Sequence, residues 1–281
     1  MPELPELEVT RGKLTPLLVG RTVTLAEARH PACLKTFEPP LSALVGRTVT
    51  GVERRGKFIC LVLDRGLHLC IHLMLDGRFV VVPSKQTLAR SHLFRLSLDS
   101  GSDLRVMENA TKHRVQVYVA ESPQTVPAIA VQGLDPLAPG FTFDRFLAAL
   151  ARHNQTAKSF LTDQRAVSGI GNCYSDEILH AARLSPFLHT SKLPDPDARR
   201  LFDAIPTVLN NATKALRRLD HIPDRRDRSF LAVHGRRGEP CPECATAIEY
   251  VSYSDWNIYY CPKCQTGGRK LADRRLSRLL K

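Results

Sequence analysis

The sequence predicts an α+β multidomain protein with an N-terminal β-sandwich that carries an N-terminal helix, then a helical domain, then a metal-bound β-hairpin. Three observations support this class. Short apolar runs separated by Gly, Asp and Pro fill residues 45–120, helical periodicity fills residues 142–218, and two cysteine pairs follow. Runs of strands followed by runs of helices are typical of α+β proteins.

The composition predicts a polyanionic partner. The chain has 281 residues, 43% of them hydrophobic, which is enough to form two modest cores. Lys and Arg total 40 against 28 acidic residues, a net charge of +12. Nucleic acid is the first candidate partner, although ribosomal, membrane-peripheral and heparin-binding proteins share such a charge.

The first residues, MPELPELEVTRGKL, are acidic and lack a continuous apolar run. They therefore predict neither a signal peptide nor a transit sequence. The sequence also has no run of the roughly 18 to 20 apolar residues that span a bilayer. We expect a monomeric, cytoplasmic protein without a membrane partner, associated with the nucleoid if the source is bacterial.

The domain boundaries follow from these changes in pattern. A first helix is expected at about residues 3–18, closed by Gly20, and the Pro-rich stretch ESPQTVPAIAVQGLDPLAPG is typical of a linker. The predicted parts are a β-sandwich domain at 1–120, a linker at 121–141, a helical domain at 142–230, a zinc finger at 231–266 and a basic tail at 267–281. The tail is compatible with a short amphipathic helix or with a solvated surface segment.

Four cysteines form the pattern C-x2-C-x16-C-x2-C: Cys241, Cys244, Cys261 and Cys264. Two residues between paired cysteines let both thiolates reach one metal from a tight turn, and the intervening segment fits a hairpin. The spacing predicts one structural Zn²⁺ per chain. Disulfides or chance spacing are the alternatives.

The segment SGIGN, which contains Gly169, Gly171 and Asn172, separates two helical patterns. Glycines there permit a tight turn, and the exposed amides with the Asn side chain can hold a phosphate where the next helix begins. A plain connection between helices is the alternative.

The N-terminus offers an unusual nucleophile. Removal of Met1 would expose the imino nitrogen of Pro2, with Glu3 and Glu6 directly behind it. A terminal α-amino group is partly unprotonated at neutral pH, and a secondary amine condenses with an aldehyde-level carbon to give an iminium. One carboxylate can transfer protons while the other tethers the helix start. A capped surface helix is the alternative explanation.

These signals occur together and in order, and they resemble the formamidopyrimidine-DNA glycosylase and endonuclease VIII family. The similarity covers nearly the whole chain. It rests on PELPE at the start, Lys57 in RRGKF, His72 in IHL, Lys158 in AKSFLTDQ, GIGNCYSDE, and HGRRGEPCPEC with CPKCQ. The resemblance implies that the helical part is a helix-two-turn-helix domain and that damaged DNA is the partner.

The resemblance also implies the roles of individual residues. Pro2 would form a Schiff base at the sugar C1′, Glu3 would assist ring opening, and Lys57 would be a catalytic cation that contacts phosphate. The activity expected is that of a DNA glycosylase and abasic-site lyase that cleaves the strand by β-elimination. The expected DNA contacts are Asn172, Lys158, His92, Glu6, Arg236 and Trp256.

The sequence departs from the family pattern at the DNA-contacting loops. Trp256 stands where the family has a finger arginine, and ENATKHR (108–114) replaces a motif that supplies an arginine and an aromatic wedge. Met74 and Leu75 stand in the turn that normally carries a methionine, and filling the gap in the duplex would fall to Met74, Leu75 or a residue such as His113. These changes predict a preference for substrates that are already open over paired 8-oxoguanine.

Several alternatives remain at this point. His68, Cys70 and His72 alternate on one strand face and could form a metal site or belong to a core or DNA-facing strand. His92 could be a plain strand residue, and Trp256 could stack on a base or plug the hairpin. The alternative function is a structure-specific DNA-binding protein with little catalysis.

Overall fold

The computed structural model describes residues 1–253 and 256–271. It divides into two compact units, which are described separately. The first unit contains residues 1–131 and 213–227, and the second contains residues 132–212 and the described part of 228–281.

The first unit is built on two four-stranded antiparallel sheets. In spatial order, one sheet contains β1 (Val23–Ala28), β6 (His92–Leu98), β7 (Ser102–Glu108) and β5 (Gly77–Pro83). The other contains β2 (Val49–Arg55), β3 (Phe58–Leu63), β4 (His68–His72) and β8 (Gln116–Ala120). The N-terminal helix α1 (Leu4–Leu18) packs against β2, and Gly20 follows it with a left-handed φ of 81°. The predicted β-sandwich with an N-terminal helix is confirmed.

Strand β3 shows why the strands of the sandwich appear in the sequence as apolar runs. Ile59 and Leu61 enter the main core between the sheets, whereas Phe58 and Cys60 face a smaller cluster outside it. That cluster is covered by a short helix α2 (Pro127–Ala130). Both faces of the strand are therefore buried, which removes the usual alternation of polar and apolar residues.

The second unit contains the helices and the cysteine-rich hairpin. Its elements are α3 (Phe143–Arg152), α4 (Ala157–Thr162), α5 (Asn172–Ala181), α6 (Asp195–Arg217), β9 (Glu249–Tyr253), β10 (Trp256–Tyr260) and α7 (Pro262–Thr266). Strands β9 and β10 form the expected antiparallel hairpin. The boundary at residue 213 falls inside α6, so the last turn of this helix belongs to the first unit.

The segment 121–141 is divided between the two units. Its first part forms α2, and the Val126 and Ile129 side chains are buried against β3 and β4. Its second part joins the helical unit, where Gly133 N donates to the Gln164 carbonyl and Leu134 N to the Ala166 carbonyl. The stretch carries few charges because both of its parts pack on a core. The cysteine hairpin likewise clusters with the helices and is not a separate unit.

None of the helices in the described ranges is both long and apolar enough to cross a membrane. The amphipathic helix considered for the basic tail falls almost entirely beyond residue 271, outside the described residues.

Candidate functional site

The start of α1 holds the predicted nucleophile in a fixed position. Pro2 and Glu3 are buried, and Glu6 is fully buried. The Glu3 backbone nitrogen donates to Glu6 Oε2 at 2.8 Å, so the Glu6 carboxylate tethers the helix start. Such a bond satisfies one of the amides that a helix N-terminus leaves without an intrahelical partner. The DNA contact that the sequence predicts for Glu6 stays a prediction.

Lys57 occupies the tight turn between β2 and β3. The turn pairs Arg55 with Phe58, and Gly56 takes a left-handed φ of 53°, a conformation that favours glycine. The Lys57 side chain is largely buried. The turn therefore presents one ammonium group immediately before a buried strand.

His72 joins this group, and sequence reasoning missed its role. Burial, together with the positive charges of Lys57 and the chain N-terminus, lowers the pKa of His72 to about 4. His72 Nδ1 accepts a hydrogen bond from the Met74 backbone nitrogen at 3.0 Å, so the neutral ring carries its proton on Nε2. The structure thus brings together the N-terminus, Lys57 and a neutral imidazole. The sequence marks His72 by its alternation with His68 and Cys70 and by its place in IHL, and neither signal reveals these distant partners.

The His72 shift predicts a stability change with pH. A histidine near pKa 6.5 in the unfolded chain takes up a proton at a higher pH than folded His72, which titrates with a pKa of about 4. The unfolded state therefore binds more protons between these values, and stability falls as pH drops through this window. We expect His72→Gln to remove about 3 kcal/mol of this acid destabilisation. Urea unfolding at pH 7 and pH 4, followed by circular dichroism, measures it. Exposed His189→Gln is the control, and an unchanged slope in His72→Gln would contradict the assignment.

His92 lies at the start of β6 and is buried. Its Nδ1 accepts from the Ala89 backbone nitrogen at 2.7 Å. Burial lowers the pKa of His92, and nearby Arg105 acts in the same direction. This geometry is that of a neutral strand residue that fixes the preceding loop, and a DNA contact by His92 stays a prediction.

The turn after β4 carries the candidate wedge. Leu75 is 50% exposed, and the structure thus leaves a large apolar side chain open to solvent here. Met74 has a left-handed φ of 53°. His113, the third candidate, instead packs edge-to-face on His30 with ring centroids 4.7 Å apart. Leu75 is therefore the candidate that the structure presents to solvent.

Beside Leu75 lies a cavity of about 120 Å³. Arg78 and Asn109 line it, together with residues 224–226 from the segment after α6. Arg225 Nη2 lies 2.9 Å from Asp76 Oδ1, which fastens that segment to the turn after β4. The cavity has a polar lining with three arginines and two aspartates, and Leu75 lies at its edge.

The alternating His68, Cys70 and His72 do not form a metal site in the described residues. Cys70 lies directly opposite Cys60 in the small cluster outside the sandwich, and His72 is held by Met74. The group of metal-ligating side chains found in the described ranges is the four-cysteine cluster.

In the second unit, Lys158 is placed differently from the exposed cation that a phosphate contact requires. Its side chain is 3% exposed, and Nζ lies 2.6 Å from Asp176 Oδ1 and 2.7 Å from the Asn172 carbonyl oxygen. The second Asp176 oxygen pairs with His234 Nδ1 at 2.7 Å. In this arrangement Lys158 holds the start of α5, and a direct phosphate contact stays a prediction.

Asn172 is the first residue of α5, after the extended Gly171. Its Nδ2 donates to the Asn257 carbonyl oxygen of β10 at 3.0 Å, while its buried Oδ1 has no hydrogen-bond partner among the described residues. This position therefore combines the amides of a helix N-terminus with a side chain that is anchored on the cysteine hairpin.

The four cysteine sulfurs, from Cys241, Cys244, Cys261 and Cys264, all lie within 4.8 Å of one another. Two of these separations are 4.0 Å and 3.4 Å. Sulfurs on one tetrahedral Zn²⁺ with bonds of about 2.3 Å lie about 3.8 Å apart. The donor set fits a closed structural zinc site and leaves no position open for substrate.

The remaining predicted DNA contacts are Arg236 and Trp256. Arg236 Nε donates to Glu239 Oε2 at 2.8 Å, and its Nη1 donates to the Leu231 carbonyl at 3.0 Å. It thus braces the segment before the first cysteine pair. The Trp256 side chain lies outside what the structure describes, so both interpretations of it stay open.

Comparison with known proteins agrees with this geometry. Residues 1–113 match the family model of the formamidopyrimidine-DNA glycosylase N-terminal domain. Residues 132–218 match that of the formamidopyrimidine-DNA glycosylase H2TH domain. The two models define a class of DNA glycosylases whose N-terminal domain is followed by a helix-two-turn-helix domain.

Relatives narrow this class to one family. Formamidopyrimidine-DNA glycosylase of Thermus thermophilus is 34% identical over 278 residues, 95% of this chain and 100% of that protein. That of Salinispora arenicola is 35% identical over 287 residues, 96% of this chain and 98% of that protein. The chain belongs to the formamidopyrimidine-DNA glycosylase family. It is therefore a bifunctional DNA glycosylase and abasic-site lyase.

Solved structures support the same assignment. The crystal structure of the Thermus thermophilus protein superposes with a TM-score of 0.83 at 31% identity, covering 96% of this chain and 100% of that one. The Lactococcus lactis enzyme in complex with DNA containing an abasic site gives a TM-score of 0.84 at 25% identity, covering 94% of this chain and 99% of that one.

Proposed function

We propose that this enzyme excises damaged bases from DNA through the imino nitrogen of Pro2 once Met1 is removed. The observation that carries the proposal is that the chain N-terminus and the largely buried Lys57 lie close enough to His72 for their charges to act on its ring. The unprotonated form of a terminal amine is the nucleophile, and part of such an amine is unprotonated at neutral pH. An imidazole that stays neutral adds no competing charge.

The chemical sequence uses few protein groups. The Pro2 nitrogen attacks the sugar C1′ as the bond from C1′ to the base nitrogen breaks; the base leaves with the bonding electrons and takes up the proton that the Pro2 nitrogen loses. The Glu3 carboxyl donates a proton to the ring oxygen as the bond from C1′ to that oxygen breaks. The resulting iminium is cationic without protonation and acidifies the C2′ proton. The Glu3 carboxylate, which has given its own proton to the ring oxygen, can accept the C2′ proton; a C2′–C3′ double bond forms as the bond from C3′ to oxygen breaks, so the 3′ phosphate leaves and the strand is cleaved by β-elimination.

Access to C1′ requires that the nucleotide leave the duplex, at a cost of a few kcal/mol. Leu75 is the exposed apolar side chain of this turn that can fill the gap, and the polar cavity beside it can receive the extruded base. The segment ENATKHR provides no aromatic wedge of the Phe, Tyr or Trp type, and its Glu108 carboxylate accepts from the Arg114 backbone nitrogen at 2.8 Å. With this hydrogen bond, the Glu108 side chain stabilises the loop that contains it.

We therefore propose a preference for substrates that are already open, such as abasic sites, ring-opened purines, oxidised pyrimidines and bubble DNA. Single-turnover rates and borohydride trapping on matched oligonucleotides at one salt concentration test this. We expect abasic and bubble substrates to react at least about ten-fold faster than 8-oxoguanine paired with cytosine, equivalent to roughly 1.4 kcal/mol of avoided unstacking. Fastest cleavage of paired 8-oxoguanine would contradict the preference and leave the glycosylase chemistry standing. Absence of any trapped adduct would contradict the chemistry and favour the DNA-binding alternative.

The cysteine cluster is proposed to hold one Zn²⁺ through Cys241, Cys244, Cys261 and Cys264. Its sulfurs fit a tetrahedral, closed site, so the metal would stabilise the hairpin and take no part in bond cleavage. Asn172, anchored to β10, is then proposed as the phosphate ligand at the start of α5. Arg236 and Trp256 remain proposed contacts on the cysteine-rich segment.

A further inference from the structure

Helix α5 is fastened to the cysteine-rich segment at three points along its length. At its start, Asn172 Nδ2 donates to the Asn257 carbonyl at 3.0 Å. In its middle, the Glu177 carboxylate accepts three backbone N–H groups, from residues 232–234, at 2.7 to 2.9 Å. In its last turn, His180 Nε2 lies 3.3 Å from Cys241 Sγ. The third contact reaches a predicted metal ligand directly.

Thiolates in such a cluster need hydrogen-bond donors. Four thiolates around one Zn²⁺ carry a net charge of about −2, and burying that charge without donors is costly. Cys261 Sγ accepts from the Cys264 backbone nitrogen at 3.5 Å. Cys244 is hydrogen-bonded by Thr246. Both of these donors come from the cysteine's own turn.

Cys241 differs, because the nitrogen that approaches its sulfur comes from α5, 61 residues earlier in the chain. His180 is 5% exposed and Cys241 is 2% exposed, so water supplies little alternative hydrogen bonding to the sulfur. The four-sulfur cluster does not include the imidazole, which places His180 outside the metal coordination sphere.

We propose that His180 is a positioning residue that donates its Nε2–H to the Cys241 thiolate and thereby slows loss of the metal. The inference rests on the proposed zinc site. An N–H donor offsets part of the thiolate charge and holds the sulfur in its metal-bound orientation. The His180 ring also lines a cavity of about 320 Å³, together with Val208 and Pro242.

The hydrogen bond between His180 and Cys241 also affects the start of α5, where Asn172 lies. Residues Asn172 and His180 lie in the first and last turns of α5, and each is tied to the cysteine-rich segment. With the metal in place, both ends of the helix are fixed, and the proposed phosphate-binding start is held against β10. Loss of the His180 bond leaves the last turn of the helix without its polar tie to the cysteine cluster.

The test compares two substitutions in the full-length protein. His180→Phe keeps a buried ring without a donor, whereas His180→Gln offers an amide N–H near the position of Nε2. Exposed His189→Gln is the matched control. Zinc release to an excess of a chromogenic chelator is followed at neutral pH. We expect release from His180→Phe to be about ten-fold faster than from wild type, and His180→Gln and the control to stay within about three-fold.

A spectroscopic measurement separates hydrogen bonding from packing. In protein reconstituted with Co²⁺, the sulfur-to-cobalt charge-transfer band should shift to lower energy in His180→Phe and return in His180→Gln, because a donor stabilises the sulfur lone pairs. Equal release rates and equal band positions in all four proteins would overturn the proposal. Fast release from the Phe and Gln variants alike, with an unshifted band in both, would assign His180 to packing and also overturn it. Wild-type protein without stoichiometric zinc would instead overturn the zinc site itself.

Discussion

A protein that keeps extra residues ahead of Pro2 is expected to form no covalent adduct with an abasic-site oligonucleotide in the presence of borohydride. An amide nitrogen lacks the free electron pair that attack on C1′ requires, so loss of the nucleophile should reduce lyase turnover by at least about 10³-fold. The measurement is the amount of trapped complex on a denaturing gel, compared between tagged protein and the same protein after protease cleavage to expose Pro2.

The matched variant is Pro2→Gly, which keeps a terminal amine of the primary type. It should retain part of the trapping, since a primary amine also forms an imine, which must then be protonated to act as an electron sink. DNA binding by the tagged protein, measured on uncleavable abasic-site DNA, serves as the control for folding. Normal trapping by the tagged protein would show that the nucleophile lies elsewhere, and Lys57 would be the next residue to test.

The sheets and helices could be predicted because their signals are local. Strands β5 and β6 are bounded by turn residues, and the helical segments show apolar residues at the 3.6-residue spacing that is typical of helices. The cysteine spacing likewise indicated which four side chains would meet. These features depend on neighbours within a few turns of chain, which a sequence displays directly.

The remaining features depend on partners that are distant in the chain. The segment 121–131 resembles a linker because it has few charges, yet Val126 and Ile129 are apolar because they cover the outer face of β3 and β4. No local sequence pattern shows that the outer face of these two strands is buried by another segment. His72 similarly acquires its shifted pKa from burial and from charges on a different strand turn and on the chain terminus.

The buried environment of Lys158 also depends on a partner that is distant in the chain. The DNA contact expected of Lys158 rests on its place in the family motif AKSFLTDQ. Its partner, Asp176, lies 18 residues later on another helix and is buried with it. Charge balance inside a core is a tertiary property, so the sequence indicated the residue type and not its environment.

The buried pair of Lys158 and Asp176 is expected to contribute strongly to the stability of the second unit. Asp176→Ala would leave the Lys158 ammonium buried with the Asn172 carbonyl as its remaining hydrogen-bond acceptor, and it would remove the acceptor of His234. Breaking a buried ion pair on one side costs about 3–5 kcal/mol. We expect a loss of that size in the free energy of unfolding of the second unit, followed in urea by the fluorescence of the chain's single tryptophan, Trp256.

The double variant Lys158→Met with Asp176→Ala should recover most of this loss, because it removes the uncompensated charge together with its partner. Asp203→Ala is the surface control. Its pair with Arg199 is long, at 3.8 Å, and both side chains are more than half exposed, so its removal should change stability by less than about 1 kcal/mol.

A similarly small loss in Asp176→Ala would mean that water reaches the Lys158 ammonium. A double variant as unstable as the single one would show that Lys158 contributes through its contact with the start of α5 and not through its charge balance. In that case DNA binding, for which Asn172 is the proposed phosphate ligand, should fall further in the double variant than in Asp176→Ala, because the single variant keeps the Lys158 contact with the Asn172 carbonyl.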